Sequence, residues 1–418
     1  DAGEKVGKQH QHMEENSDDM ARRETRGKGK ALSISKAGEI RDASEHVQYM
    51  AGWARRIDGR AMTLSAPGTY AFTRKEAIGV CGQIIPWNFP MLMAAWKLAP
   101  ALAVGCTVIL KPAEQTPLTA LLLGELILEA GFPPGVVNII PGYGETAGAA
   151  LSSHMDVDKV AFTGSTEVGR LILQASAQSN LKKITLELGG KSPNIIFADA
   201  DMEAAVGGAS VGIFFNQGQV CCAGSRLFIE KKAFDNVVGD LSNIANNMNI
   251  APGMDESCEM GPLVSDEQFQ RVTDLVNKGK EEGATAVCGG DPVDGPGYFY
   301  KPTILVDTNP NMCVIRDEIF GPVAPIIRFK DVDDAIRIAN STAFGLSSGV
   351  CADKLETITR FISELKVGSV NIWEVPGYRI EMSPFGGIKD SGLGEKEGVL
   401  EAMKGLTNVK TYSLPWPQ

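Results

Sequence analysis

The sequence predicts an α/β protein with two doubly wound parallel sheets and a small separate β element. Apolar β-branched runs alternate with amphipathic helical stretches twice, over residues 77–196 and again from about Pro193 to Pro384. That is the pattern of strands covered on both faces by crossover helices. Two further alternating segments, 62–72 and 406–414, fall outside both layers. The chain has 418 residues, 44% hydrophobic and 22% charged, which are globular values with room for two or three domains.

Residues 1–59 open the chain as helices, with Ile40, Ala43, Val47, Met50 and Trp53 at three- and four-residue spacing. The segment 62–72 alternates on either side of Pro67-Gly68 and reads as two short strands forming a projecting hairpin. Strands of the first layer are expected at 80–85, 107–110, 136–140 and 160–163. The longest apolar passage, 91–110, carries Lys97 and is broken by Pro100 and Gly105. It fits a helix and a buried strand better than a membrane span of about 20 residues. Strands of the second layer are expected at 227–230, 304–306, 324–329 and 369–372, and the tail 406–414 is a lone strand needing a partner sheet.

Acidic residues outnumber basic ones, 51 to 40, for a net charge of -11 with no basic run, so neither nucleic acid nor an anionic membrane is expected as a partner. Residues 1–15 are polar, without an apolar signal core or a transit pattern, and the chain reads as cytoplasmic. Eight cysteines, scattered apart from Cys221-Cys222 and without a CxxC, make neither a disulfide framework nor a zinc set. No metal is expected; His10 and His12 read as a solvated helix face.

Four segments could carry chemistry. Residues 159–169 (KVAFTGSTEVG) place Gly164-Ser165-Thr166 between a strand and a helix start, where backbone N–H groups face a phosphate or simply make a turn. Cys221 lies in the glycine-flanked loop 216–225 (NQGQVCCAGS), placed as a nucleophile or as a buried thiol. None of the four histidines sits in a motif that would pair with it. A carboxylate base is then needed, and Glu187 in LELGG has an apolar, glycine-flanked setting; a cap or ion pair is the other reading. Asn88, between the prolines of IPWNFP, is either a stiffly held oxyanion donor or a turn former.

Together these segments resemble the aldehyde dehydrogenase superfamily over nearly the whole chain and in family order. The matching motifs are PWNFP (86–90), KPAEQTP (111–117), FTGSTEVG (162–169), LELGGKSP (186–193), GQVCCAGSR (218–226), EIFGPV (318–323) and SPFGGIKDSGLG (383–394). The resemblance implies Rossmann-like cofactor (1–59 and 77–189) and catalytic (190–390) domains. It also implies an oligomerisation element at 60–76 and 404–418, hence a homodimer or homotetramer. Cys221 would attack the aldehyde carbonyl, Asn88 and the Cys221 N–H would hold the oxyanion, Glu187 would activate the hydrolytic water, and Lys97 would pass a proton outward.

NAD is the implied cofactor. Lys111 and Glu114 would meet the adenosine ribose, the carboxylate disfavouring a 2′-phosphate, and Trp87 and Ser165 the pyrophosphate region. Glu318 and Phe320 would position the nicotinamide end, with Ile84, Ile85, Gly144, Thr163, Gly164, Leu188, Gly189 and Gln268 completing the set. Phe89, Met93, Trp96, Phe215 and Phe385 would line a largely apolar aldehyde tunnel. Arg379, in the loop EVPGYRIEM, is placed to meet an anionic tail or to pair with Glu381. This loop and the ending look most like the branch that includes phosphonoacetaldehyde dehydrogenase. An aldehyde with a phosphonate or carboxylate tail is therefore expected, with a neutral aldehyde as the alternative.

The chain departs from the family in three places. Members usually begin with two strands and a helix upstream of the first match here, so part of the cofactor domain is expected to be missing. In SGLGEKEG, Glu395-Lys396 stands where Arg-Glu is common, implying slower deacylation. ETRGKGKAL (24–32) departs from Asn-Gly-Lys-Pro, with no consequence legible in the sequence. A catalytically silent structural member is the reading from another class, and a CoA-acylating enzyme is disfavoured by the presence of Glu187.

Overall fold

The protein, described from a computed structural model, is resolved in detail over residues 2–65, 68–378, 383–395 and 397–415. The helical opening holds Ala2–Glu15, Ser17–Lys28 and Arg41–Trp53, the last entered through a wider turn at Ser35–Ile40. Val6, Met13, Met20, Ile40, Val47 and Met50 pack from this layer onto the helix Pro90–Val104. Lys97 apart, that helix is apolar all round, as a buried helix is. Pro90 stands in its first turn, where no N–H is needed, and Gly105, left-handed, caps its end by donating to Ala101 and Leu102.

Beneath it lies a five-stranded parallel sheet in the order Val137–Ile139, Thr107–Lys111, Val80–Ile84, Lys159–Thr163, Lys183–Glu187. The chain runs outward from Val80–Ile84 to one side, then returns to build the other. The strand order therefore reverses beside Val80–Ile84, and ligands of such sheets bind beyond the carboxyl ends at that point. The second sheet has seven strands: Thr285–Cys288, Thr303–Val306, Val323–Phe329, Arg226–Glu230, Pro193–Ile196, Ser347–Cys351 and Ser369–Ile372, all parallel except the first.

The segments outside both layers pair with each other. Thr407–Pro415 runs antiparallel to Thr69–Ala77 over nine residues, and the two-residue strand Ala61–Met62 completes a three-stranded ribbon. The expected hairpin is thus lopsided: its second strand runs five residues past Phe72, because the tail, not the short first strand, supplies most of its partners. Among the described residues no helix is long and apolar enough to cross a membrane. No group of three His, Cys, Asp or Glu side chains among them is placed to hold a metal ion.

Candidate active site

The carboxyl edge of the five-stranded sheet faces the loop that feeds the seven-stranded one. Glu187 ends its strand beside Thr163, and residues 188–192 cross to Pro193, which pairs with Arg226. This crossing is fixed at short intervals. Leu188 N–H donates to Ser391 O at 3.0 Å and Gly190 N–H to Glu318 Oε1 at 2.9 Å. A side chain at Gly190 would collide with the Cys221 carbonyl, so glycine there sets the approach of the two walls.

Of the eight cysteines, all free, seven are buried and Cys221 alone is partly exposed. It packs with Val220, Cys222, Leu346, Trp96 and Phe385. Its thiol is held well above the ordinary thiol pKa. The hydrogen bond with Cys222 is the largest cause, followed by burial and by the carboxylates of Glu318 and Glu187. Resting Cys221 is therefore a thiol, which becomes a nucleophile only when a base takes its proton.

Asn88 is buried, and its Nδ2 donates to the Gln219 carbonyl, two residues before Cys221, at 3.0 Å. One amide hydrogen is thereby committed to orienting the group, and the other remains for a ligand. Glu187 shares a cavity of about 310 Å³ with Gln83, Trp96, Lys97, Lys159 and Glu397. In it Lys97 Nζ donates to Glu397 Oε1 at 2.5 Å. Lys396, at the position where the family commonly has a carboxylate, lies outside the described residues; the next residue, Glu397, brings a carboxylate to Lys97.

The expected cofactor residues gather at the strand reversal. Ile84 and Ile85 end the central strand beside Lys111 and Phe162. Lys111 Nζ pairs with Glu114 at 2.9 Å, the lysine buried and the carboxylate open to solvent. Thr163 and Gly164 lead into Ser165, whose Oγ accepts from Val168 N–H and caps the helix Thr166–Gln178. Gly144 starts a short exposed turn. Gly189 faces the Glu318 carboxylate so closely that a Cβ would strike it. Burial pushes Glu318 up to about 7 against the pull of the Gly190 N–H and of Arg271. Phe320 meets Trp87 edge-on at 5.2 Å, and Gln268 Nε2 donates to the carbonyls of Ile319 and Phe320. Gln268 thus holds the loop that presents the ring.

The expected tunnel residues also converge. Phe89 stacks on Phe215 at 6.2 Å and Trp96 tilts against Phe385 at 5.8 Å, while Met93 packs in the same helix layer. Arg379 and Glu381 lie outside the described residues; a Cβ at Gly377, two residues before Arg379, would come within 3.7 Å of the Cys222 sulfur.

A family model described as the aldehyde dehydrogenase family matches residues 3–412. The chain belongs to the aldehyde dehydrogenase family. It is 49% identical to an aldehyde dehydrogenase of Emericella nidulans over 96% of this chain and 80% of that protein. It is 47% identical to aldehyde dehydrogenase 1A1 of Gallus gallus over 93% of this chain and 76% of that one. Its fold matches an NAD+ complex of a Bacillus cereus aldehyde dehydrogenase with a TM-score of 0.97 at 43% identity, covering 99% of this chain and 84% of that one.

Proposed function

We propose that this enzyme oxidises an aldehyde to its carboxylic acid through a Cys221 thiohemiacetal and thioester. The chain is an NAD-dependent aldehyde dehydrogenase. The observation that carries the residue assignment is the convergence of one accessible thiol, an oriented amide and two carboxylates where the sheets meet.

Glu187 takes the proton from the Cys221 thiol, and the thiolate adds to the carbonyl carbon. Asn88 Nδ2, with the Cys221 N–H, stabilises the oxyanion. A bound NAD would supply the hydride acceptor for that carbon. The glycine-lined helix start at Gly164–Ser165 and the Trp87–Phe320 pair suit its pyrophosphate and nicotinamide ends, and Lys111 and Glu114 suit its ribose. Glu187 hands the thiol proton on to Lys97 and Glu397 and, a carboxylate again, draws a proton from the water that hydrolyses the thioester, whose collapse releases the acid and the Cys221 thiolate. Lys97 and Glu397 carry the surplus proton out through the shared cavity, a role supported by their contact and its position beside Glu187.

The substrate carries an anionic tail, phosphonate or carboxylate, met by Arg379. This rests on an always-charged guanidinium two residues beyond Gly377, where a Cβ would come within 3.7 Å of the Cys222 sulfur. A neutral aldehyde is the second reading, favoured by the Phe89–Phe215 and Trp96–Phe385 walls. NADH formation with succinic semialdehyde, phosphonoacetaldehyde and propanal by the parent and by Arg379→Ala separates the two. The anion reading expects the variant to lose preference for the charged aldehydes, and an unchanged ratio of kcat/KM values sinks it. Cys221→Ala must abolish turnover with all three. We place the enzyme in the cytoplasm, in keeping with eight free thiols. It assembles as a homodimer or homotetramer through the ribbon, where Tyr70, Val409 and Leu414 are more than half exposed.

A further inference from the structure

Lys28 and Lys30 are almost wholly enclosed, 1% and 0% exposed, in the segment whose departure from the family pattern had no reading in sequence. Lys30 Nζ pairs with Glu39, lies 3.8 Å from Glu24 and donates to the Asn88 carbonyl at 3.3 Å. The other Glu39 oxygen accepts the N–H groups of Met91 and Leu92. One side of the oxyanion site is thus tied to the N-terminal helical layer.

The other side is tied by Lys28. Its Nζ donates to Gln217 Oε1 at 2.7 Å, an oxygen that also accepts from Gln219 Nε2 at 3.2 Å. Gln219 in turn offers its carbonyl to Asn88 Nδ2, and Asn216 Nδ2 bridges Asn88 O and Gln219 O at 3.0 and 3.2 Å. Asn216 and Gln217 have φ of 52° and 57°, a left-handed pair that non-glycine residues resist and that persists only where the surroundings over-determine it. Burial, and secondarily the charge of Lys30, push the Lys28 pKa well below that of an ordinary lysine. A hydrocarbon of similar length would be cheaper to bury but could not donate to Gln217.

We propose that Lys28 is a positioning residue: through Gln217 and Gln219 it fixes the loop before Cys221 so that the Asn88 amide faces the oxyanion. The proposal rests on Asn88 being the oxyanion donor. The test is a double-mutant cycle on the full chain, Lys28→Met with Asn88→Ala, read as single-turnover NADH formation at saturating NAD and aldehyde. With Asn88 present, Lys28→Met slows this step on the order of tenfold with KM for NAD unchanged, as a slightly misplaced donor does. In the Asn88→Ala background the same change costs about twofold or less, because the two act as a unit. An equal factor in both backgrounds, or no slowing, overturns the proposal. If Lys28→Met fails to fold, Gln217→Met cuts the same bond from the loop side and is judged by the same two factors. Full activity in Asn88→Ala alone would remove the oxyanion reading itself, whereas a slow Asn88→Ala with a fully active Lys28→Met removes only the clamp.

Discussion

Glu397→Gln removes one charge from an ion pair whose side chains are 1% and 14% exposed, with Lys97 Nζ and Glu397 Oε1 2.5 Å apart. Leaving a desolvated ammonium without its carboxylate costs about 3–5 kcal/mol when the partner is deleted. Glutamine keeps a carbonyl acceptor, so about 2–3 kcal/mol is expected here. Unfolding entropy near 2.1 cal/mol/K per residue over 418 residues converts this to a Tm about 3 °C lower. Differential scanning fluorimetry reads that shift. Replacing both partners, Lys97→Met with Glu397→Leu, restores Tm to within about 1 °C but leaves kcat low, because the proton outlet is gone. An unchanged Tm in Glu397→Gln would mean that the ammonium is solvated and the pair is not a buried one. Full turnover in the double variant would end the proton role of Lys97 and Glu397.

Lys159, 2% exposed, lines the same cavity, and burial lowers its pKa to about 8. Its folded value lies below its unfolded value, so the cost of about 3 kcal/mol is full below pH about 8 and vanishes towards pH about 10. Lys159→Met should raise Tm at neutral pH, by less as pH climbs through that window, and a pH-independent gain would contradict the assignment. Glu318, raised to about 7, is the opposite case: its neutral form contributes stability that is full below its unfolded pKa and lost as pH rises through about 7. Glu318→Gln should therefore gain Tm relative to the parent as pH rises through neutrality. A constant difference in scanning fluorimetry between pH about 5 and about 8 rejects this. Glu114→Ser should raise the kcat/KM ratio for NADP over NAD, on the order of tenfold for loss of one charge repulsion, and an unchanged ratio detaches Glu114 from the ribose.

The strands rich in β-branched residues were legible because burial on both faces of a parallel sheet writes itself as a continuous apolar run. Thr107–Lys111, Lys159–Thr163 and Val323–Phe329 carry it. Ser347–Cys351 (SSGVC) is just as buried but sends no such signal. Its hydroxyls are satisfied by Pro376 O and Ser369 O, and a Cβ at Gly349 would come within 2.7 Å of Glu374 O. Small polar residues fit there because of neighbours that only the fold supplies. At the site, Cys221, Asn88 and Glu187 stood in motifs and could be named from sequence. Lys28, Lys30 and Gln217 could not, since a lysine in a polar segment reads as solvated until tertiary structure encloses it. Glu397 was hidden for a simpler reason: one position along a loop changes which side chain points inward.

These positions share a physical logic. Glu187 ends a strand of one sheet, and Cys221 sits in the loop that feeds a strand of the other. Neither sheet can therefore set their separation alone. Residues 188–192 do so with backbone contacts to Ser391 and Glu318, but a short crossing pinned on one side leaves the Cys221 loop free to swing on the other. The left-handed pair at Asn216 and Gln217 and the glycine at 218, whose Cβ would strike the Gly321 carbonyl, bend that loop into place at a cost in backbone strain. Something rigid must hold the bend. The N-terminal helical layer does so with buried lysines, reaching Gln217 through Lys28 and Asn88 through Lys30. A hydrophobic contact would stabilise the layer equally well but would let the loop slide. Directional bonds from a helix-anchored lysine Nζ fix both its distance and its angle, which is what an oxyanion donor needs.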